Sequence, residues 1–287
     1  LKEVLKKEKP LQLVGVPNAY VALMAELTGF KAIYLSGGGV SAGDLGVPDL
    51  ALTSLNDVLI QTRRITSRVN IPLVVDVDTG WGSPLNVYRT FYEVSRAGAS
   101  AAHIEDQNIN KRCGHREGKR LVPKEMMVAR IKAAVDGRIN DDFMVIARTD
   151  AIALEGVEYA LDRAIDYVQA GADAIFVEAA TDLLTYQTFS SHLKVPILAN
   201  ITEFGKTPLF TLDELSKSGV GIVLYPLSTF RAMNKAALDT LKTIREKGTQ
   251  KAMLDKMQTR EELYKILNYD DYEQALDEYL YSGEAHE

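Results

Sequence analysis

The chain has 287 residues, 46% hydrophobic and 25% charged, with a formal net charge of -6; that is enough for one large core of the size of an α/β barrel, ~250 residues. Its basic residues are scattered apart from one loop-like stretch, which argues against a nucleic-acid or anionic-membrane partner, and its apolar runs fall far short of the ~20 residues that span a bilayer. A single cysteine cannot form an internal disulfide, and no ordered leader pattern stands near Leu1, so the expected location is the cytoplasm.

In chain order, LKEVLKKEKP (1–10) reads as a charged amphipathic turn or two. LQLVGV (11–16) then opens a series of short apolar runs: KAIYL (31–35), IPLVVDVD (71–78), AAHIED (101–106), FMVIARTD (143–150), DAIFVEA (173–179), VPILAN (195–200) and GIVLYP (221–226). Runs of this kind predict strands buried on both faces. Helical spacing fills the gaps, as in SPLNVYRTFYEVSRA (83–97), which opens on a Ser-Pro pair, and VEYALDRAIDYVQA (157–170). A glycine at a helix end introduces four of the strands, in TGFKAIYL, AGASAAHIED, AGADAIFVEA and SGVGIVLYP. Eight such units predict an α/β fold, a (β/α)₈ barrel over roughly residues 10–245, rather than an open doubly wound sheet. Residues 246–287 read as helices appended to this single domain. His192 and His286 fall in polar segments and read as surface residues.

Active sites of such barrels lie at the C-terminal strand ends. Those ends carry Asn18, Ser36, Asp76, Asp78, His103, Glu105, Arg148, Asp150, Glu178, Asn200 and Thr202, whereas the strand beginnings are Gly, Ala, Pro and Val. Asp76 and Asp78, two apart on a strand, are expected to point the same way. Converging carboxylates repel unless a cation sits among them, and oxygen ligands suit Mg²⁺ or Mn²⁺ better than zinc; the competing reading is a polar turn with a helix cap. The glycines of YLSGGG read either as a backbone cradle for an anionic oxygen or as a flexible loop. Arg148 reads as a carboxylate fork or as a structural ion pair with a neighbouring acid.

The basic stretch is KRCGHREGKR (111–120), and it holds the only thiol, Cys113, separated from His115 by Gly114. A thiol kept for packing belongs among apolar neighbours. This setting instead points to chemistry, as an acid or as a nucleophile.

YLSGGG, VDVDTGWG, HIEDQ, KRCGH, ARTDA and NITEFGKTP, in that order, resemble the isocitrate lyase and phosphoenolpyruvate mutase superfamily over essentially the whole chain. KRCGH marks the lyases within it, and the compact length and NITEFGKTPLF are similar to the branch that cleaves 2-methylisocitrate to pyruvate and succinate in propionate catabolism. The resemblance implies a homotetramer whose terminal helices swap between subunits, a small tricarboxylate substrate, and Mg²⁺ (or Mn²⁺) on Asp76 and Asp78 with Glu105 contacting it through water. It further implies that Ser36, Gly37 and Gly38 bind a substrate carboxylate and that Arg148 binds the pyruvate portion. Cys113, Gly114, His115, Glu178, Asn200, Thr202, Arg231 and Arg260 fall at substrate-site positions, with Tyr34 and Asp49 at active-site positions. Retro-aldol cleavage leaves a carbanion that needs an acid neutral at physiological pH, and a thiol, with a reference pKa of ~8.5, meets that need. Tyr34, His115, Glu105 and Glu178 all remain candidates for the base. Isocitrate, an oxaloacetate-type substrate, and binding of dicarboxylates without turnover are the alternative readings.

Overall fold

The computed structural model describes residues 1–281. Eight parallel strands, β1 (Leu11–Gly15), β2 (Ala32–Leu35), β3 (Leu73–Asp76), β4 (Ala101–Glu105), β5 (Met144–Thr149), β6 (Ala174–Val177), β7 (Ile197–Asn200) and β8 (Ile222–Tyr225), close in sequence order into a barrel. Each apolar run supplies one strand, trimmed at its ends. The four helix-stopping glycines all take left-handed backbone, Gly29 at φ 94°, Gly98 at 91°, Gly171 at 109° and Gly219 at 78°, which lets the chain reverse into the following strand at little cost. The helices expected at 83–97 and 157–170 run Pro84–Arg96, opened by a Ser83–Asn86 capping box, and Val157–Gln169.

Two cores follow from strand alternation. One face of each strand packs outward on the helices, through residues such as Ile33, Val75, Ile104 and Ile175. The other fills the barrel, where Leu13, Ala32, Val74, Ile146, Phe176 and Leu198 are buried together. The helix Lys2–Lys7 brings Leu1, Val4 and Leu5 against this inner cluster. Side chains alternate along a strand, so the residues two steps further on share the interior face, and these are Asp76 after Val74 and Arg148 after Ile146. Register then sets neighbours: Asp76 pairs with His103, and Glu105 with Arg148. The interior therefore changes from apolar to charged toward the C-terminal strand ends.

The chain divides into two compact units, Leu1–Phe230 and Arg231–Glu287. The chain leaving β8 enters one continuous helix, Ser228–Lys247, which stops at Gly248 in left-handed backbone at φ 65°. The second unit holds the rest of that helix, a 3₁₀ segment Lys251–Lys256, and helices Arg260–Leu267 and Tyr269–Tyr281. His192 is exposed, and His286 lies outside the described residues. Among the described residues no helix is long and apolar enough to cross a membrane.

Phe176 joins the two halves of the inner core, lying edge-on to His103 at 5.2 Å and beneath the Arg148 guanidinium at 5.3 Å. Phe176→Ala is expected to lower unfolding stability by about 3–5 kcal/mol, measured as a shift of the urea midpoint at unchanged m-value.

Candidate active site

The two aspartates converge, but not by strand alternation. β3 ends at Asp76, and Asp78 lies beyond it in left-handed backbone at φ 49°. The Asp78 N–H donates to Asp76 Oδ1 at 3.0 Å, folding the second residue back toward the first. A Cβ placed on Gly37 would stand 3.0 Å from Asp76 Oδ2 and 3.1 Å from Asp78 Oδ1, so both carboxylates face a position that only glycine can occupy. Positive φ continues at Gly80, Trp81 and Gly82, a concentration of backbone strain of the kind held at functional sites. Trp81 Nε1–H anchors it on the Thr53 carbonyl at 2.9 Å; nothing in the sequence reading singled out that tryptophan.

YLSGGG is neither a flexible loop nor an open cradle. Gly37–Gly43 is helical, Ser36 caps it by accepting from the Gly39 N–H, and the Gly37 N–H donates to Asp76 Oδ2 at 3.0 Å. Beside Asp76, the Tyr34 hydroxyl lies 2.8 Å from His103 Nε2 and 3.4 Å from Asp76 Oδ2.

Arg148 is the centre of the second group of residues. Its guanidinium meets Glu105 Oε2 at 3.2 Å, Glu178 Oε2 at 3.4 Å, and both oxygens of Asp150 at 2.9 and 3.2 Å. The ion-pair reading of Arg148 is thus realised three times over. Asp106 stands behind this group, accepting from the Asp150 N–H at 2.9 Å and from the hydroxyls of Thr149 and Tyr167 at 2.8 and 3.0 Å.

The 111–120 stretch is folded onto both groups. Gln107 pins its start, exchanging hydrogen bonds with the Arg112 backbone at 2.9 and 2.7 Å. Lys111 bridges Asp49 and Asp78, each at 2.5 Å. Gly114 presses so closely on the site that a Cβ there would lie 2.5 Å from Glu178 Cγ and 2.6 Å from Arg148 Nη2. His115 Nε2 meets Glu178 Oε1 at 2.8 Å, while its Nδ1 accepts the Lys206 N–H at 2.9 Å. With Nδ1 engaged as an acceptor, the proton of a neutral imidazole sits on Nε2 and points at Glu178. Asn200 Nδ2 reaches the same carboxylate at 3.3 Å, and Thr202 is buried beside it in sequence. Cys113 is half-buried between the exposed Arg112 and the seated Gly114. The structure thus brings together Tyr34, Ser36, Gly37, Gly38, Asp49, Asp76, Asp78, Glu105, Gly114, His115, Arg148, Glu178 and Asn200 in the first unit. Arg231 and Arg260 belong to the second unit.

Charge is unevenly distributed in the mouth. Asp76, Asp78, Glu105, Asp150 and Glu178 are buried against Lys111, Lys119 and Arg148, an excess of two negative charges. Burial, helped by Asp76 and Asp49, pushes Asp78 up to about 6 in spite of Lys111. Burial also pushes Glu105 well above the usual carboxylate range, and neither of its oxygens receives a hydrogen bond among the described residues. Burial and then Asp76 keep Tyr34 protonated. Glu178 differs: burial works against its charge, but Arg148 and the His115 hydrogen bond outweigh it and hold it at about 2. A divalent cation would neutralise the excess. Among the described residues no group of three or more His, Cys, Asp or Glu forms a ready cage; two carboxylates plus water and substrate are nevertheless the donor set Mg²⁺ takes, and the residues fit it.

The family pattern described as phosphoenolpyruvate phosphomutase matches residues 1–245. The 2-methylisocitrate lyase of Salmonella typhimurium is 57% identical over 274 residues, 95% of this chain and 93% of that protein. Among solved structures, 2,3-dimethylmalate lyase superposes with a TM-score of 0.89 at 33% identity, covering 96% of this chain and 92% of that one. Phosphonopyruvate hydrolase in complex with oxalate and Mg²⁺ gives 0.84 at 31% identity, covering 96% of each chain.

The position of His115 is set by its neighbour across the mouth, since a Cβ on Gly205 would stand 2.8 Å from His115 Nδ1. Nitrogen NMR is expected to report His115 with its proton on Nε2. Gly205→Ala should abolish that signature by pushing the ring off Lys206 and Glu178, and an Nδ1–H form in the parent protein would contradict the arrangement.

Proposed function

The chain belongs to the phosphoenolpyruvate phosphomutase family, and we propose that within it the protein is a carbon–carbon lyase cleaving 2-methylisocitrate to pyruvate and succinate. The observation that carries this reading is the seating of KRCGH on the carboxylate–arginine cluster, Gly114 lying directly on Arg148 and Glu178, in a chain 57% identical to a 2-methylisocitrate lyase.

Asp76 and Asp78 would hold Mg²⁺, or Mn²⁺ in its place, and Glu105, whose Oε2 is paired with Arg148 while neither oxygen accepts a hydrogen bond among the described residues, suits a contact through water. When bound, the metal supplies Lewis acidity and a template for the oxygens of the pyruvate half. Arg148 offers its fork to the carboxylate of that half. Ser36, Gly37 and Gly38 take a second carboxylate; since the Gly37 N–H is already given to Asp76, the Ser36 hydroxyl and Gly38 N–H carry that contact. Asn200 and Thr202, both buried, add further substrate contacts.

The reaction needs one proton taken and one returned. A base removes the substrate hydroxyl proton, the C–C bond breaks as the carbonyl of pyruvate forms, and the electron pair stays on the succinate fragment. Tyr34 is a poor base because burial keeps its proton on. His115 is equally unsuited, with its acceptor nitrogen already occupied. Burial holds the proton on Glu105 as well, which leaves Glu178, kept ionised by Arg148 and His115, as the candidate base. Cys113, carried by the closed loop, returns a proton to the carbanion. A nucleophilic role for it is disfavoured because the site gathers cations and hydrogen-bond donors for an anion and offers no acyl group to attack.

A homotetramer in the cytoplasm is part of the same proposal. Exposed apolar residues of the second unit, among them Leu241 at 65%, Tyr279 at 86% and Leu280 at 60%, support association of copies.

A coupled assay is expected to show pyruvate released from 2-methylisocitrate, abolished by chelation and restored by Mg²⁺. Isocitrate should be cleaved ~10–200-fold less efficiently, the range a pocket for one methyl group allows; a higher kcat/KM on isocitrate would reverse the assignment, and no release from either substrate would leave a binding protein. Cys113→Ser keeps the shape of the loop but offers a hydroxyl too weak an acid for the task. It should lose ~10²–10⁴ in kcat while metal and pyruvate binding survive in titrations. A Ser variant of near-normal rate, or a trapped thioester on Cys113, would exclude the acid role.

A further inference from the structure

Lys119 takes no part in the chemistry above, yet its side chain is 2% exposed within the most basic stretch of the chain. An ammonium leaves water only where it is paired and hydrogen-bonded. Its Nζ has two acceptors, the Gly114 carbonyl at 2.5 Å and Asp150 Oδ1 at 2.9 Å. The first belongs to the loop itself. The second belongs to the barrel wall, where Asp150 grips Arg148 with both oxygens and is in turn held by Asp106.

The other attachments of the loop differ in kind. Lys111 ends on Asp78 and His115 ends on Glu178, which are groups assigned to the metal and the substrate. Gln107 pins the start of the loop and the Lys206 N–H holds His115 Nδ1, but an anchor on a metal or substrate group has to be exchanged each time the site fills. The Lys119–Asp150 pair instead joins the loop to a carboxylate that also grips Arg148, and neither partner is among the groups assigned to the metal or the substrate.

We infer that Lys119 is a positioning residue: its ammonium latches the 111–120 loop to Asp150, which seats Gly114 and holds Cys113 over the site, and the shared carboxylate ties that closure to the orientation of Arg148. The effect on turnover rests on the lyase reading; the latch itself does not.

Cys113 is the only cysteine, so its alkylation by iodoacetamide reports loop opening without a substrate. In the ligand-free full chain, Lys119→Met is expected to raise the alkylation rate about tenfold or more, the equivalent of losing one hydrogen-bonded charge, and Lys119→Arg to stay within about threefold of the parent. In the pyruvate assay Lys119→Met should lose about 10²-fold in kcat, the cost of misplacing a catalytic group, with KM much less affected and most of the rate recovered by Lys119→Arg. If the Met variant yields no folded protein, Lys119→Gln carries the same expectations. Equal alkylation rates in parent and variant would overturn the latch, whatever happens to turnover. A parent protein that releases no pyruvate but shows the alkylation contrast would overturn the lyase reading and leave the latch standing.

Discussion

A guanidinium buried at the mouth of a barrel has to be surrounded by carboxylates, and the packing of Arg148 among Glu105, Asp150 and Glu178 is the constraint from which the rest of the site follows. Strand register supplies the first partner, since Glu105 sits beside Arg148 across the β4–β5 ladder. The other two come from the residues just past β5 and β6. Each then passes the constraint outward. Glu178 fixes His115, and through it Lys206; Asp150 fixes Lys119, and through it Gly114. Two loops far apart in sequence are therefore held by one buried charge. Removing a single member would strand its partners unpaired, a loss of about 3–5 kcal/mol in comparable buried clusters.

The same burial explains why the site is poised for a cation and an anion together. Carboxylates outnumber cationic groups in the mouth, and burial, more than that excess, raises the proton affinities of Asp78 and Glu105. A metal would relieve that pressure at the Asp76 and Asp78 end, while Arg148 faces the other. A substrate carrying several carboxylates would bridge the two. Closure of the loop removes water from between them, and each electrostatic contact strengthens as the local dielectric falls.

Much of the barrel was legible because parallel strands are buried on both faces and so appear as unbroken apolar runs, bounded by the glycines that end the preceding helices. Polar strand ends exposed the site for the same reason: little else puts Asp76, Glu105, Arg148 and Asn200 after apolar runs. What stayed hidden depends on backbone and tertiary context. Asp78 lies past the end of its strand, and its left-handed turn cannot be read from two-residue spacing. Three consecutive glycines have poor helix propensity, yet the Ser36 cap and the Gly37 bond to Asp76 recruit them into a helix. Among six basic residues in ten, spacing could not tell that Lys111 and Lys119 are the buried pair.

The lone thiol fits this arrangement. A general acid fixed permanently in the barrel would face solvent whenever the site was empty, and a reactive intermediate formed beneath it could be lost to water. Placed on a loop, Cys113 would arrive only when Lys111, Gly114, His115 and Lys119 have all found their partners. Those partners are spread over the ends of β3, β5 and β6 and the turn after β7, so the loop tests the whole mouth before it seats. On the proposed acid role of Cys113, proton delivery would be conditional on an assembled site, which is how a closing segment adds specificity to catalysis.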